Sequence, residues 1–306
     1  MNTTISMQSL INFFLAVVFA PLLIGLINRT KAWFAGRRGQ PLFQLYYDLA
    51  KLARKGAVYS RTTGWLFRAG PAVGLAAAIV AAALVPFGGA PGLIRFDGDL
   101  VLFAYCFGLM RFLTVLGALD TGSSFEGMGA SREVTFSALA EPAMFLALAA
   151  LVRRTESLSL SGIYAGIDVE VWRTSPALLL LVIGTLVVVL LAENSRIPVD
   201  DPNTHLELTM IHEVMVLDHG GPDFGFILYG GAVKLWAMSA LISGLIVPGH
   251  FGPWCGTLSG VLCMFVLAMV VGIIESVMAR LRLLRVPQLL VGGAALSAVA
   301  LMITLS

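Results

Sequence analysis

Long apolar stretches recur along this chain, separated by short polar connections. One of them, PALLLLVIGTLVVVLLA from residue 176, shows no polar face at a helical period, although a surface helix of a soluble protein would show one. About 20 residues of α-helix cross the hydrocarbon of a bilayer. The pattern predicts an all-α polytopic membrane protein with about eight transmembrane helices, at residues 9–28, 70–87, 100–119, 134–152, 176–193, 224–247, 257–279 and 287–305.

Composition strengthens this interpretation. The mean hydropathy over the 306 residues is +0.88, and only 12% of the residues are charged. The chain contains no repeats, no low-complexity linkers and no soluble domain. We therefore expect residues 1–306 to form a single transmembrane domain.

Basic residues are distributed unevenly among the connections, which predicts the orientation. Alternate connections hold fourteen Lys and Arg residues, and the opposite connections hold four. The basic connections, at residues 29–69, 120–133, 194–223 and 280–286, are predicted on the inner side, so both termini are predicted on the outer (periplasmic) side. No basic region precedes the first apolar run, which is typical of an uncleaved anchor rather than a secretory signal peptide.

Motifs for cofactors are missing from the sequence. The three cysteines, Cys106, Cys255 and Cys263, form no CxxC pair, and iron–sulfur clusters need several closely spaced thiolates. No glycine-rich turn or Walker motif indicates nucleotide binding. We expect no catalytic centre, no metal site and no bound cofactor in this chain, and no nucleic-acid partner.

Four charged residues lie inside predicted spans: Arg111, Glu141, Lys234 and Glu275. Each costs roughly 2.5–3.5 kcal/mol at a helix centre on insertion scales, so these side chains should face the interior of the bundle. One interpretation is a structural ion pair, or snorkelling for Glu275 and Glu193 near span ends. The other, which several acids and two bases in one small bundle favour, is a polar pathway for protons or ions.

The connection SRIPVDDPNTHLELTMIHEVMVLDHGG, residues 195–221, concentrates charge in an otherwise apolar chain. Asp201 followed by Pro202 is a favourable helix start, so we expect a short helix from Pro202 to about Leu217, closed by Gly220 and Gly221. Its histidines recur every seven residues, at positions 205, 212 and 219. Seven helical residues span about 10.5 Å, too far for two ligands of one metal ion.

Several motifs resemble one known family. They are RRGQPLFQLYYDLAKLARK from residue 37, LDTGSSFEGMGASREVTFSALAEPAMF from residue 119, the connection at 195–221 with its preceding AEN, and ESVMARLRL from residue 275. They resemble the membrane subunit shared by respiratory complex I (its subunit 1) and the group 4 NiFe hydrogenases, which include formate hydrogenlyase (its subunit 4). The second and fourth motifs look like the hydrogenase form.

The resemblance implies a non-redox subunit that docks a soluble redox arm onto the membrane and provides a proton route. Together with the charges inside the spans, the implied proton route consists of Glu141, Glu193, Asp200, Glu207, His205, Arg111, Lys234 and Glu275. The implied inner-side docking surface contains Asp48, Arg37, Arg38, Asp120, Arg132, Glu133 and Glu213. Acids in a wet, low-dielectric channel can relay protons.

The implied partners are a hydrogenase-like large subunit, a small iron–sulfur subunit and antiporter-like membrane subunits, within the lipid bilayer of a bacterial or archaeal cytoplasmic membrane. The NiFe centre and the iron–sulfur clusters are expected in those partners.

The sequence departs from the family pattern of proline, aromatic residue and Asp followed by a Glu-x-Glu-x-Glu run. Val199 replaces the aromatic residue, and Asn203 and His205 stand where two of the glutamates would be. Two alternatives stay open: the equivalent subunit of a quinone-reducing, complex I-like enzyme, and a stand-alone ion transporter.

Overall fold

The computed structural model describes residues 6–200, 211–247 and 252–305. In chain order its α-helices are α1 (Met7–Phe34), α2 (Gln44–Ala53), α3 (Trp65–Leu84), α4 (Asp99–Asp120), α5 (Ser124–Thr155), α6 (Leu160–Ala165), α7 (Val169–Thr174), α8 (Pro176–Glu193), α9 (Gly221–Ile246), α10 (Pro253–Val277) and α11 (Val286–Leu305). Within the described ranges, eight helices are long and apolar enough to cross a membrane: α1, α3, α4, α5, α8, α9, α10 and α11. The prediction of an all-α protein with about eight spans is confirmed.

Polar residues extend several helices beyond the apolar stretches that predicted them. The fourth span, predicted at 134–152, is the central part of α5, which begins at Ser124. Only residues 121–123 therefore connect α4 to α5, where the sequence indicated a connection over 120–133. The first turn of this helix contains Glu126, which is buried and accepts a hydrogen bond from the Thr121 hydroxyl, and an apolar pattern does not reveal such a turn.

The connection that follows α8 differs from its prediction. Asp201, Pro202, His205 and Glu207 lie outside the described residues, so the predicted start of the helix is not tested. In the described part, only a short 3₁₀-helix forms, at Glu213–Val216, and the predicted α-helix to Leu217 is wrong there. The carboxylate of Asp200 accepts hydrogen bonds from the backbone N–H groups of Ile211 and His212, at 3.3 and 3.2 Å, so these groups are held in a turn. Gly221 begins α9 rather than closing a helix.

Helix α9 is the centre of the bundle. In its most apolar 18-residue stretch 72% of the residues are buried, against 22% for α11. It packs against α1, α3, α8 and α10, while α5 packs against α4, α8 and α11. Charged side chains on α4, α5, α8 and α9 can therefore meet inside the protein.

The α5–α8 connection closes the end of the bundle at which α4 begins. The Asp99 carboxylate accepts hydrogen bonds from Leu160 N–H (2.6 Å) and from the Ser159 hydroxyl (2.8 Å). Tyr164 on α6 donates its hydroxyl to the carbonyl of Leu241 at 2.7 Å. These contacts attach α6 to both α4 and α9.

At the opposite end, three segments are held together by side-chain hydrogen bonds. Asp120 accepts the N–H of Gly64, which precedes α3. Tyr59 donates to Asp223 at the start of α9, at 2.7 Å. Glu126 accepts the N–H of Asp218 at 3.3 Å. At this end α2 also lies against α1 and α9. These contacts fix the connections beside the buried charges of the bundle.

Candidate functional site: a buried charge cluster and its cavity

Arg111 on α4 is the hub of a group of charges inside the bundle. Its two terminal nitrogens donate to Glu141 on α5 and to Glu193 on α8, and its Nε lies 3.3 Å from Oε1 of Glu133 on α5. Lys234 on α9 places its Nζ 2.6 Å from Oε2 of Glu193. We call Arg111, Glu133, Glu141, Glu193 and Lys234 the central charge cluster.

Burial of the central charge cluster is uneven. The side chains of Arg111, Glu193 and Lys234 are 7%, 3% and 6% exposed. Glu141 is different, since 42% of its side chain is exposed on the face of α5. Glu193 therefore does not snorkel, although it ends α8. Glu141 is the member that a neighbouring membrane subunit or solvent can reach.

The charges of the cluster do not balance. When every group is ionised, three carboxylates face two cations, which leaves one excess negative charge. Such an excess is unfavourable in a low-dielectric interior. The cluster can take up one proton on Glu133 or Glu141 and still leave Arg111 and Lys234 each paired with a carboxylate.

His212 extends the cluster and was not among the residues selected from the sequence. Its Nδ1 lies 3.9 Å from Oε2 of Glu133, and its backbone N–H donates to Asp200. The seven-residue histidine spacing drew attention to this residue, but only for a metal site. Its contact with Glu133 depends on the turn at Asp200, for which the sequence carries no signal.

Two predicted proton-route residues lie in a second group of charges. Glu275 on α10 lies 2.8 Å from Nζ of Lys31 and 3.4 Å from Nη1 of Arg196. Asp200 lies 2.8 Å from Nη2 of Arg280. We call these five residues the inner charge cluster. Glu275 therefore pairs with Lys31 and Arg196 rather than with the central charge cluster, and Lys31, Arg196 and Arg280 are site residues that sequence reasoning missed.

The predicted docking residues occupy different environments. Arg37 and Arg38 are exposed in the α1–α2 connection. Asp48 on α2 is partly buried and accepts a hydrogen bond from Gln44 at 3.0 Å. Arg132, near the start of α5, is also partly buried.

Three further docking predictions fall on residues with internal roles. Glu133 is a correction: it is buried against Arg111 and belongs to the central charge cluster, because α5 turns this side chain toward α4. Asp120 anchors the N–H of Gly64, and Glu213 lines the cavity described next.

A cavity of about 200 Å³ lies beside the central charge cluster. One part of its lining is apolar and includes Phe67, Met110, Leu113, Phe224 and Ile227. The charged and polar part includes Arg111, Glu133, Glu193, Arg196, His212 and Lys234. The cavity is therefore lined both by apolar side chains and by members of the central charge cluster.

His219 also lines this cavity but does not belong to the cluster. Its ring stacks on Phe67 with centroids 3.8 Å apart. Burial lowers the pKa of His219, and the nearby carboxylates of Asp223 and Asp218 oppose that shift. His219 is therefore mainly neutral at neutral pH. Nearby, the hydrogen bond to Asp223 raises the pKa of Tyr59.

The described ranges contain no group of three or more His, Cys, Asp or Glu side chains that could hold a metal ion. The carboxylates, the two cations and the imidazole that the described site brings together can form ion pairs and exchange protons.

Fold and site together define a class: a multi-pass helical membrane protein with paired charges buried at its centre. The chain matches the family described as NADH dehydrogenase over residues 7–305, and it belongs to that family. The resemblance seen in the sequence motifs is confirmed.

Its relatives include subunits of hydrogenase-type complexes and a subunit of an NADH-quinone oxidoreductase. The chain is 29% identical over 284 residues to formate hydrogenlyase subunit 4 of Escherichia coli, covering 90% of each chain. It is 30% identical over 296 residues to hydrogenase-4 component C of the same organism, covering 93% of this chain and 91% of the relative. It is 28% identical over 260 residues to an NADH-quinone oxidoreductase subunit of Geobacter metallireducens, covering 79% of this chain and 77% of the relative.

The fold also matches a chain from the solved membrane-bound sulfane sulfur reductase, an archaeal respiratory membrane complex. The TM-score is 0.81 with 18% sequence identity, covering 97% of this chain and 98% of the other. At this identity the match shows the fold alone.

Proposed function

We propose that this chain is the membrane-anchoring and proton-route subunit of a membrane-bound, formate hydrogenlyase-like NiFe hydrogenase complex. In that role it couples redox chemistry in a soluble arm to ion translocation. The NiFe centre and the iron–sulfur clusters belong to the partners, and this chain supplies no redox centre. The similarity to formate hydrogenlyase subunit 4 and to hydrogenase-4 component C, over 90% and 93% of the chain, supports this choice.

One observation carries the proton route: Arg111 is shared by carboxylates from two other helices, and Lys234 adds a second cation from α9. A purely structural ion pair needs one acid and one base, and each additional buried charge adds a desolvation penalty. Five charges on four helices, with an excess of one acid, are better explained as a path that protons enter and leave.

The proposed orientation has both termini on the outer side of a bacterial or archaeal cytoplasmic membrane. Its support is the fourteen-to-four distribution of Lys and Arg among the connections, together with the even number of long apolar helices in the described ranges. The inner charge cluster and the exposed Arg37 and Arg38 then face the soluble arm. The single transmembrane domain over 1–306 is part of the same proposal.

The proposed partners are a hydrogenase-like large subunit, a small iron–sulfur subunit and antiporter-like membrane subunits. A pull-down of the tagged chain in mild detergent, followed by mass spectrometry, tests this. Co-purification of those proteins is the expected result. Recovery of the chain alone, under conditions that preserve other membrane complexes, would refute the subunit role and favour a stand-alone ion transporter.

The Glu141→Gln variant tests the proton route in the assembled complex. Glutamine keeps the shape and can still accept the hydrogen bond from Arg111, but it cannot carry a proton. We expect the rate of proton-coupled turnover in proteoliposomes to fall by about tenfold or more, while the complex stays assembled on a native gel.

The matched control is Glu156→Gln, at the far end of the same helix, where the side chain is exposed. It should keep the wild-type rate. Wild-type turnover and wild-type proton movement in Glu141→Gln would count against the proton route.

The second candidate is the equivalent subunit of a quinone-reducing enzyme. The observation in its favour is the cavity, since an apolar wall beside charged groups suits an amphipathic ligand, and the similarity to the NADH-quinone oxidoreductase subunit of Geobacter metallireducens agrees. A quinone-dependent activity of the purified complex, blocked by quinone-site inhibitors, would favour this candidate.

A further inference from the structure

We propose that His212 transfers protons between the cavity and Glu133, and that its protonated form balances the charge of the central charge cluster. This inference rests on the proposed function, and it assigns the entry point of the proton route. Its basis is the geometry of the imidazole, the charge count of the cluster and the polar atoms of the cavity.

His212 is positioned for proton exchange with Glu133. Its Nδ1 lies 3.9 Å from Oε2 of Glu133, so a movement of about 1 Å produces a direct hydrogen bond. The backbone of His212 is fixed by Asp200, and Asp200 is in turn paired with Arg280. The ring is therefore held near its acceptor, while 35% of the side chain stays exposed for exchange with water.

The nitrogen that faces Glu133 is otherwise unsatisfied. Buried Nδ1 of His212 has no hydrogen-bond partner among the residues that the structure describes. A buried polar atom without a partner is unfavourable. Protonation at Nδ1 removes the problem, because the charged N–H then points toward a carboxylate.

The charged groups that line the cavity beside His212 come from α4, α5, α8, α9 and the connection after α8, whereas α1 and α3 contribute only uncharged residues. On other elements they are Arg111, Glu133, Glu193, Arg196 and Lys234. On its own segment they are Glu213 and the imidazole of His219. With Glu141 included, the central charge cluster carries one excess negative charge, and one proton on His212 brings the total to zero. An imidazole is the side chain that gains and loses a proton near neutral pH.

The cavity supplies a source of protons on the other side of the ring. At about 200 Å³ it has the volume for several water molecules of about 30 Å³ each. Nε of Arg196, which lines the same cavity, also has no hydrogen-bond partner within the described part of the chain. Polar atoms of this kind are usually satisfied by buried water.

The proposed step conserves atoms and charge. The N–H bond at Nδ1 of the imidazolium breaks, the proton bonds to Oε2 of Glu133, and the imidazole is left neutral with its remaining proton on Nε2. Glu133 becomes a neutral acid beside Arg111 and can pass its proton to the other carboxylates of the cluster. The ring then turns about its Cβ–Cγ bond, so that the bare Nδ1 reaches cavity water and takes up a proton that this water delivers from the inner side, and it turns back toward Glu133.

The experiment uses the assembled complex in proteoliposomes, with proton movement followed by an internal pH-sensitive dye. His212→Gln keeps a hydrogen-bonding side chain but cannot relay a proton. We expect coupled turnover to fall by about tenfold or more and its dependence on pH to flatten. Reduction of an artificial dye by the soluble arm should not change.

A second variant separates proton transfer from structure. In His212→Ala the removed side chain leaves space open to the cavity, so added free imidazole should restore coupled turnover several-fold. The matched control is Glu156→Gln, at an exposed residue that does not line the cavity. It should stay within about twofold of the wild-type rate.

Wild-type rate and pH profile in His212→Gln would overturn the inference, as would a His212→Ala variant that imidazole does not rescue. If neither variant assembles, Glu133→Gln decides, because it removes the acceptor and keeps the imidazole; an unchanged pH profile then refutes the step. If Glu141→Gln slows turnover while His212→Gln does not, only the role of His212 fails. If neither affects turnover, the proposed function fails as well.

Discussion

Asp99 and Glu193 are both buried carboxylates, yet they have different kinds of partner. Glu193 is held by two side-chain cations, Arg111 and Lys234, which can exchange partners when a proton moves. Asp99 is held by a backbone N–H and a hydroxyl, which have no alternative. Glu126 resembles Asp99, since it binds a hydroxyl and a backbone N–H. We therefore interpret Asp99 and Glu126 as structural residues, whereas the partners of Glu193 are compatible with its proposed place in the proton route.

Asp99→Asn should destabilise the protein by about 1–3 kcal/mol, because asparagine keeps one acceptor oxygen where the carboxylate has two, so either the Leu160 N–H or the Ser159 hydroxyl loses its acceptor. The measurement is the thermal midpoint of the purified complex, read as loss of its native size-exclusion peak. Asp97→Asn is the control, since that side chain is exposed. Equal midpoints for the two variants would contradict the structural role of Asp99.

His219 should make stability depend on pH. Burial lowers its pKa in the folded protein, whereas the unfolded chain has the ordinary value of about 6.5. Above that value the ring is neutral in both states and the stability is complete. As pH falls below it, the unfolded chain takes up the proton first, so the folded state loses stability.

The prediction is that the thermal midpoint falls less between pH 7.5 and pH 5.5 in His219→Phe than in the wild type. Phenylalanine keeps the stacking on Phe67 and removes the titration. The remaining titrating groups are common to both proteins, so their contribution cancels. An equal fall in both would show that His219 is not responsible.

At the scale of the elements, α1 and α10 approach closely at Gly272. A Cβ added there would lie 2.7 Å from Cβ of Thr30 and 3.0 Å from the carbonyl oxygen of Ile27. Small residues permit such close packing between membrane helices. Glu275 and Lys31 pair at 2.8 Å one turn further along the same two helices, so the inner charge cluster depends on this approach.

Gly272→Ala should therefore destabilise the protein by about 1–3 kcal/mol, because the added methyl group forces the helices apart. The control is Gly292→Ala on α11, where a Cβ would meet no atom within 4 Å among the described residues. That variant should be neutral or slightly more stable, because alanine favours a helix. The two thermal midpoints, compared in the same detergent, check the prediction.

At the scale of the whole molecule, the charges of the described residues form a series from the surface inward. Arg37 and Arg38 are exposed, the inner charge cluster is mostly buried, and the central charge cluster lies among α4, α5, α8 and α9. His212 lies between the last two, because Asp200 holds its backbone and Glu133 faces its ring. This series is the arrangement that the proposed function requires, with the exposed charges toward the proposed soluble partner and the central charge cluster inside the bundle.

Arg132→Ala should weaken attachment of the soluble arm, because we place the start of α5 on the side that faces this partner. We expect a smaller complex on a native gel, with the membrane part intact. Arg153→Ala is the matched control, at the exposed opposite end of the same helix. An unchanged complex in Arg132→Ala, or an equal loss in Arg153→Ala, would refute the docking role.

The sequence predicts correctly those features that depend on a short stretch of chain or on a single residue. Apolar runs identified the eight long helices of the described ranges, and the cost of burying charge selected Arg111 and Lys234 as interior residues. Glu141 also pairs with Arg111, but 42% of its side chain is exposed, so it is not the interior residue that was expected. Sequence reasoning was less accurate at helix ends, such as Ser124, where a buried Glu126 has no apolar signature. It also assigned Glu133 to the docking surface, because the family resemblance implied that role and nothing in the local sequence indicated the contact with Arg111.

The sequence by itself determined that this is an all-α membrane protein, which family it belongs to and which charges require partners. The reason is that hydrophobicity and the penalty for an unpaired charge act residue by residue. Only the tertiary structure decided the pairing: Glu275 with Lys31 and Arg196, Glu133 with Arg111, and His212 beside Glu133. These contacts join residues far apart in the chain, and they depend on how α4, α5 and α9 pack and on one turn held by Asp200.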